Sequence, residues 1–281
     1  MEQSVFEKTR SRTPVVDGLF YPEEPNVLKA QIRSWGIDED SGCRGQGGII
    51  LAPHGAWELT GKIAGAAFAA VMGKKKSRAG ADRVMLLGPV HRDSRCGLYL
   101  SDSAYFETPL GSIPVDRRLT GELESCGTLF EVNDAPHLAE HSLEVLLPLV
   151  KYCFPAAEIV PVLVGGSGSG LISVLAGALN LVLKNRMKRT LLVVSTNLSA
   201  RPDPEKARTE ADEIIRLLND KDPQRFLAAF KEGRLSACGA PILAGLLESG
   251  LLEKKTLRIG PRCDGLGEEK DTVCYGALSF E

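Results

Sequence analysis

Two short apolar runs, each followed closely by a histidine, constrain this chain more than any other feature. Residues 48–52 are followed by His54, and residues 83–88 are followed by His91. Both runs are rich in Ile, Leu, Val or Met and are closed by Pro or Gly-Pro, which predicts strands buried on both faces. In open α/β sheets, ligands and chemistry collect at the carboxyl ends of the strands. The sequence therefore predicts that two of its four histidines stand at one edge of a sheet.

A metal site shared by these two histidines follows from the same pattern. Imidazole is the commonest protein ligand for iron, copper and zinc. If the two runs form neighbouring strands, which lie about 4.8 Å apart, both side chains can reach one ion. The alternative is that each histidine only hydrogen-bonds its own loop. The matched placement of His54 and His91 favours the shared site.

Composition predicts a cytoplasmic protein without a nucleic-acid or membrane partner. The chain has 281 residues, a net charge of −2 and a sequence pI of about 6.2, so charge gives no argument for either partner. No apolar run reaches the roughly 18 residues of a membrane span. Residues 1–12 lack the apolar core of a secretory signal. The seven cysteines include no CxxC pair, which is typical of reduced thiols in a cytoplasm.

The order of predicted elements indicates an α/β fold. No linker divides the chain, so we expect a single domain over residues 1–281, with residues 1–46 as an N-terminal arm packed on it. Strands that alternate with helices predict a central, mostly parallel or mixed sheet flanked by helices. The clearest apolar strand segments are 48–52, 83–88, 159–164 and 190–194.

A second group of ionisable side chains lies just before a predicted helix over 142–152. His137, Glu140, His141 and Glu144 fall within eight residues. The two histidines would suit one metal only if both lay on a helix, and a loop is expected here. His141 can serve as an outer hydrogen-bond donor or as a general acid or base. A loop histidine paired with Glu140 or Glu144 explains the pattern equally well.

Two further polar features stand at the ends of predicted elements. Cys238 precedes an apolar helix over 242–248, and a helix start stabilises a thiolate that can bind a metal or attack an electrophile. An ordinary buried cysteine is the simpler interpretation. Residues 195–200, Ser-Thr-Asn-Leu-Ser-Ala, follow a third core strand. Asn197 and the hydroxyl groups there can orient a ligand, but none is a good base at neutral pH.

Taken together, these motifs resemble those of the Memo family, whose prokaryotic members are called AmmeMemoRadiSam system protein B. The resemblance runs nearly end to end, and it rests on several separate motifs, which makes it specific. The matching segments are Pro14–Pro22, Pro53–Trp57, Gly88–His91, Thr108–Gly111, His137–Glu144 followed by Leu147-Pro148, Cys238-Gly239 and Tyr275–Ala277.

The resemblance implies both a fold and a metal site. The family is similar in fold to class III extradiol dioxygenases, which bind non-haem Fe(II) through two histidines and a carboxylate. Memo proteins have two histidines and a cysteine at that place. Carried over by motif, His54, His91 and Cys238 become the candidate metal ligands, and His141 becomes a pocket residue. One metal ion is expected, with iron favoured and copper or zinc as alternatives.

Two departures from the family pattern bear on activity. Where the family has Ser-Ser-Asp-Leu-Ser-His, this chain has Asn197 in place of the acid and Ala200 in place of the histidine. That histidine corresponds to the acid/base of the dioxygenases, and alanine cannot move a proton. An amide does not replace the lost carboxylate. His141 and Asn197 are the candidate catalytic side chains that remain.

Three functions are compatible with these residues. The first is a metal-binding protein with redox or oxygenase-type chemistry on an unknown small molecule or peptide, or a metal carrier. The second is a pocket without catalysis that binds a peptide or an anion; Asn197 and Ala200 suggest it, and Memo-like proteins have been associated with phosphopeptide recognition. The third is a hydrolase in which Cys238 is the nucleophile and a nearby histidine is the base.

Overall fold

A computed structural model describes residues 10–37, 47–72, 80–92, 95–266 and 271–281. These ranges contain a nine-stranded mixed sheet, a small three-stranded sheet and nine α-helices. The predicted N-terminal arm is therefore described only over residues 10–37.

Twelve strands are present in the described part of the chain. They are β1 (Ser11–Arg12), β2 (Gly48–Ala52), β3 (Arg83–Pro89), β4 (Gly97–Leu100), β5 (Tyr105–Phe106), β6 (Ile113–Pro114), β7 (Phe130–Val132), β8 (Glu158–Gly165), β9 (Thr190–Ser195), β10 (Ser199–Arg201), β11 (Leu257–Leu266) and β12 (Thr272–Phe280). The large sheet has the order β10-β12-β2-β9-β3-β8-β4-β7, with β11 paired to β12; the small sheet is β1-β5-β6.

The helices lie on both faces of the large sheet. They are α1 (Pro25–Ser34), α2 (Trp57–Ala70), α3 (Arg117–Glu124), α4 (Ala135–Ala139), α5 (Leu147–Cys153), α6 (Ser169–Leu183), α7 (Pro204–Asp220), α8 (Pro223–Lys231) and α9 (Ala240–Glu248). Residues of α1, α2 and α5 pack in one hydrophobic cluster, and residues of α3 and α6 to α9 pack in the other. None of the described helices is long and apolar enough to cross a membrane.

The central strands are buried on both faces, as their apolar sequences predict. Ile49 and Leu51 pack in one hydrophobic cluster, whereas Ile50 and Ala52 pack in the other. Successive side chains of a strand point to opposite faces, so each run must be apolar throughout to fill both clusters. The predicted α/β fold, with a central mixed sheet flanked by helices, is confirmed.

Strand order brings the carboxyl ends of the central strands to one edge. The strands β2, β9, β3 and β8 are adjacent in that order and parallel to one another. The assumption that the two histidine-bearing strands are neighbours was wrong, because β9 lies between β2 and β3. Every residue of β9 is buried, which suits a central position in the sheet. Its last residue, Ser195, pairs with Ala52 and so stands between the two ends.

The segment before α5 departs from the helix predicted to begin at residue 142. Residues 144–146 form a single 3-10 turn, and α5 begins only at Leu147, with Pro148 in its first turn. Proline is tolerated there because the first N–H groups of a helix have no partner within it. Ser142 caps neither element; its hydroxyl donates to the carbonyl of Pro89 at 2.8 Å. This bond holds the turn against the end of β3.

A buried ion pair fastens the described part of the arm to the turn before α5. Arg12 and Glu144 lie 2.5 Å apart, and their side chains are 2 % and 1 % exposed. Glu144 also accepts the Tyr21 hydroxyl and two backbone N–H groups of the arm. The Arg12 guanidinium donates to the carbonyls of His137 and Glu140. The arm thereby supports the turn that carries His141.

Candidate metal centre

Three histidine side chains meet at the carboxyl edge of the sheet. His54 follows β2, His91 follows β3 and His141 follows α4. The ring of His91 lies 5.0 Å from each of the other two rings, which are 5.7 Å apart. One nitrogen of each ring lies within 4.8 Å of the others. Nitrogens bound to one ion at about 2.1 Å lie about 3–4 Å apart, which falls within this limit, so the cluster could hold a metal ion.

The thiol of Cys238 faces the same cluster. Cys238 directly precedes Gly239, the N-cap residue of α9. Its Sγ lies 3.4 Å from Nε2 of His54 and is also hydrogen-bonded to His91. Asn197 makes two hydrogen bonds to Cys238. Its backbone N–H donates to Sγ at 3.3 Å, and its side-chain Oδ1 accepts the Cys238 N–H at 2.8 Å. The loop before α9 is thus fixed against the end of β9.

The electrostatics of the cluster favour an ionised thiol. Burial acts to raise the pKa of Cys238, but the charge of His54 and hydrogen bonds from His54, His91 and the Asn197 N–H lower that pKa to about 5. Burial acts to lower the pKa of His91, but its hydrogen bonds to Cys238 and Glu140 raise it to about 10. Thiolate and neutral imidazole are the forms that bind metals. A metal cation can therefore replace the proton that Cys238 and its neighbouring imidazoles share.

A buried carboxylate supports two of the histidines from behind. Glu140 is 4 % exposed. Its Oε1 lies 2.9 Å from Nδ1 of His91 and 3.3 Å from Nδ1 of His141, and its Oε2 accepts the His91 N–H at 2.7 Å. Burial acts to raise the pKa of Glu140, but the hydrogen bonds and charge of His91 and the Ser142 N–H lower it to about 2. An ionised carboxylate at Nδ1 leaves the far nitrogen of His91 free to bind a ligand.

His141 is a neutral member of the cluster. Burial and the charges of His54 and His91 lower the pKa of His141 to about 4. The ring of Phe20 packs edge-on against it, with centroids 5.2 Å apart. The resemblance implied that His141 is a pocket residue, and the structure places it beside both strand-end histidines.

The end of β9 supplies contacts to the Cys238 loop, without a replacement for the family's acid/base histidine. The hydroxyl of Thr196 accepts the N–H of Gly239 at 3.0 Å. Ala200 lies in β10, and its N–H donates to Ser236 Oγ at 2.9 Å. Its methyl side chain has no group that can move a proton. Asn197 keeps the contact to Cys238 that a family aspartate could also make.

His137 lies apart from the cluster and has a structural role. Its Nε2 is 3.1 Å from the carbonyl of Tyr99, and its ring packs edge-on against Phe106. Burial lowers the pKa of His137 to about 4. The short helix α4 ends before His141, so the two histidines do not share one helix face and do not form a site together.

The support that Ser195 gives to the cluster was missed by sequence reasoning. The hydroxyl of Ser195 lies 2.8 Å from Nδ1 of His54 and donates to the carbonyl of Ser142 at 2.5 Å. Residue 195 drew attention only as the first of several polar residues after a strand. Its contact with His54 follows from β9 lying between β2 and β3, and an indication of that strand order would have been needed to find it.

The available donors fit a transition metal better than a hard cation. Imidazole nitrogens suit zinc, copper and iron, and a thiolate suits soft or borderline metals, whereas Mg²⁺ and Ca²⁺ prefer oxygen ligands. Metal-bound histidines usually donate their second ring N–H to a protein acceptor. His54 and His91 both have such a neighbour at Nδ1, Ser195 and Glu140 respectively.

Comparison with known proteins agrees with the motifs. The sequence model of the family described as Memo-like protein matches residues 12–260. A "MEMO1 family protein" of Nitrosopumilus maritimus is 25% identical over 96% of this chain and 99% of its own length. One of Saccharolobus solfataricus is 28% identical with the same coverage of both chains. A crystal structure of an uncharacterized Escherichia coli protein, JW3007, covers 70% of this chain and 86% of its own, at 13% identity and a TM-score of 0.41, too low to support a conclusion. Because the family match spans most of its length, this chain belongs to the Memo-like protein family.

Proposed function

We propose that this protein binds one transition-metal ion at the carboxyl edge of the sheet and uses it in redox or oxygenase-type chemistry on a small molecule or peptide. The observation that carries the proposal is the convergence of His54, His91 and His141, with the thiol of Cys238 against His54 and hydrogen-bond partners on the outer sides of the rings. Imidazole nitrogens and a thiolate are the donors that zinc, copper and iron prefer, so their convergence favours a transition-metal ion.

Within this cluster, we assign His54, His91 and Cys238 as the metal ligands. The short distance between Cys238 Sγ and His54 Nε2, 3.4 Å, and the hydrogen bond between Cys238 and His91 support this set. Both histidines have short contacts at Nδ1, 2.8 and 2.9 Å, whereas the Nδ1 contact of His141 is longer, 3.3 Å. His141 therefore serves as a wall residue that holds or donates a hydrogen bond to a bound substrate.

The metal that we propose is iron, with copper and zinc as the alternatives to be tested. A divalent iron ion held by three protein donors supplies a redox-active centre with open positions for a substrate. The chain's own contribution is to orient what binds: Phe20 packs on His141, and Asn197 fixes the Cys238 loop. With alanine at position 200, proton transfer falls to His141, the neutral imidazole beside the ligands.

Metal content tests the first part of the proposal. Protein purified anaerobically without a histidine tag should contain near-stoichiometric metal by plasma mass spectrometry, and a His54→Ala/His91→Ala variant should contain none. Thermal unfolding of both proteins checks that the variant is folded. Equal metal in the two proteins contradicts the assignment. A folded wild type that neither contains nor takes up Fe(II), Cu or Zn favours the binding of a peptide or anion instead.

The ligand set is tested with Co(II), whose absorption spectrum reports a thiolate ligand. Cobalt-loaded wild type should show a thiolate-to-cobalt charge-transfer band that is absent from Cys238→Ser and present in His141→Ala. If the band is missing from the wild type, or if His141→Ala abolishes binding while Cys238→Ser does not, the three histidines are the ligands.

A second candidate function is a cysteine-dependent hydrolase. The observation that favours it is the Cys238–His54 pair, with a thiol pKa lowered to about 5 by the neighbouring imidazoles. In that case, iodoacetamide should modify Cys238 rapidly in metal-free protein, and a Cys238→Ala variant should lose all hydrolysis of activated esters. Slow or absent modification of the metal-free protein rejects this function.

A further inference from the structure

Ser195 and Ser142 form hydrogen bonds beside the histidines of the cluster, and neither the family resemblance nor the proposed ligand set gives them a role. We propose that Ser195, held by the carbonyl of Ser142, is a positioning residue that fixes the proton of His54 on Nδ1 and so presents a bare Nε2 to the metal. The proposal rests on the metal-binding function proposed above and deepens it.

The position of the proton follows from counting donors. The hydroxyl of Ser195 has one proton and lies 2.5 Å from the carbonyl oxygen of Ser142 and 2.8 Å from Nδ1 of His54. A carbonyl can only accept a hydrogen bond, so the serine proton points to Ser142. The oxygen of Ser195 then faces His54 with a lone pair, and Nδ1 of His54 must carry a hydrogen. Once a metal cation replaces the proton between Nε2 and the Cys238 thiolate, His54 keeps its proton on Nδ1 and directs the lone pair of Nε2 to the metal.

The same logic applies on the other side of the cluster. Oε1 of Glu140 already accepts the Ser142 N–H at 2.8 Å, and it lies 2.9 Å from Nδ1 of His91 as an acceptor. Nδ1 of His91 is therefore also a donor. The two proposed ligands are oriented alike, one by a neutral hydroxyl and the other by a carboxylate.

Ser142 joins the two supports into one unit. Its carbonyl accepts the Ser195 hydroxyl, its N–H donates to Oε1 of Glu140 at 2.8 Å, and its hydroxyl donates to the carbonyl of Pro89 at 2.8 Å. Ser142 and Ser195 are both fully buried, so water does not compete for these bonds. The ends of β3 and β9 and the turn that carries His141 are thereby held in a single hydrogen-bonded arrangement.

The two supports should affect metal binding unequally. A carboxylate hydrogen-bonded to Nδ1 makes an imidazole a stronger donor to a metal, whereas a neutral hydroxyl mainly fixes the tautomer and the ring orientation. Ser195 is thus expected to act through geometry and proton position. This distinguishes its effect from that of a general loss of stability.

Ser195→Ala removes the acceptor of His54, and Ser199→Ala is its matched control. Ser199 is equally buried, and its hydroxyl donates to the carbonyl of Ala207 at 2.6 Å, but it lies beyond the histidine cluster in β10. Each change deletes one buried hydroxyl that donates to a carbonyl, so the two variants should lose similar stability. Only the first should affect His54.

The primary measurement is the tautomer of His54 in metal-free protein, read near pH 8 from long-range proton–nitrogen correlations of histidine-labelled samples. Wild type and Ser199→Ala should show a hydrogen on Nδ1 of His54, whether or not Nε2 also holds a proton shared with Cys238, and Ser195→Ala should show an Nδ1 that is wholly or partly without one. A wild type with a bare Nδ1 at His54 overturns the proposal, as does a fully protonated Nδ1 in Ser195→Ala.

Affinity for Zn(II), measured by competition with a chelator, gives the second readout. Ser195→Ala should bind Zn(II) roughly 10- to 100-fold more weakly than wild type, and Ser199→Ala should stay within about twofold. Equal affinities of wild type and Ser195→Ala contradict the positioning role. If the wild type binds no metal, the proposed function fails, but the tautomer measurement still decides whether Ser195 sets the proton of His54.

Discussion

The change Glu140→Gln tests whether the buried carboxylate supports the metal centre. Both oxygens of Glu140 accept from nitrogen donors: Oε2 from the His91 N–H at 2.7 Å, and Oε1 from Nδ1 of His91 at 2.9 Å and the Ser142 N–H at 2.8 Å. A glutamine has the same shape, but one of its two ends is an NH₂ group. Whichever way the amide is turned, at least one buried donor then faces another donor.

The expected losses of stability and of metal affinity follow from these two donors facing each other. An unsatisfied buried donor costs about 1–3 kcal/mol, so urea unfolding should show Glu140→Gln destabilised by this amount. If the amide nitrogen faces Nδ1 of His91, the ring must place its proton on the nitrogen directed at the metal. Loss of such an outer hydrogen bond lowers metal affinity by roughly 10- to 100-fold, or about 1.4–2.8 kcal/mol.

Urea unfolding and chelator competition, applied to Glu140→Gln and a control variant, separate an effect on stability from an effect on metal affinity. Glu210→Gln is the control, because Glu210 is also a buried carboxylate, 5 % exposed, that binds Arg201 and Ser236. Both variants should lose stability in urea, and only Glu140→Gln should lose affinity for Zn(II) in chelator competition. The reasoning is refuted if Glu140→Gln is folded and binds Zn(II) as tightly as wild type, or if Glu210→Gln weakens binding equally.

Three further predictions concern residues that support the fold around the site. The pKa of His137 is lowered from 6.5 to about 4 by burial. Below pH 6.5 the unfolded chain therefore binds a proton at this residue that the native state does not bind, so the free energy of unfolding falls as the pH drops. His137→Gln keeps a donor for the carbonyl of Tyr99. In urea titrations, this variant should lose roughly 2 kcal/mol less free energy of unfolding between pH 7 and pH 5 than wild type. Arg12→Met leaves the Glu144 carboxylate buried without its cation, so unfolding should require about 3–5 kcal/mol less, and an Arg12→Met/Glu144→Gln double variant should recover part of this. Gly61→Val should destabilise by at least about 1–3 kcal/mol in thermal unfolding, because even a Cβ there would lie 2.7 Å from the ring of Trp35; an unchanged midpoint would show that Trp35 can move away.

The sequence was sufficient to predict the sheet edge but insufficient to predict the strand order. A strand buried on both faces must be apolar throughout, so residues 48–52 and 83–88 were identifiable, and the histidines after them followed. Which strand lies between them depends on how crossover connections return to the sheet, and no single segment encodes that. The position of β9 is what brings Ser195 to Nδ1 of His54.

The turn before α5 was harder to predict than the strands, because its hydrogen bonds join residues distant in sequence. Periodicity predicted a helix from residue 142, yet the Ser142 hydroxyl bonds Pro89, 53 positions away. Glu140 was recognised only as a partner for a nearby histidine. Its bonds to the backbone and ring of His91, 49 positions away, depend on the packing of the turn against β3. Local propensity contains no information about such contacts.

The substitutions at Asn197 and Ala200 affect two separable parts of the site. Asn197 retains an acceptor for the Cys238 N–H, and its own N–H still reaches the thiol, so the Cys238 loop keeps its support without a carboxylate. Against the effect of burial, the pKa of Cys238 is lowered by the imidazoles of His54 and His91 together with the Asn197 N–H. Ala200, in contrast, preserves only its backbone bond to Ser236 and supplies no proton carrier. The residue that supports the Cys238 donor and the position that the family resemblance assigns to a proton carrier are therefore separate, and only the first has a side chain suited to its role here.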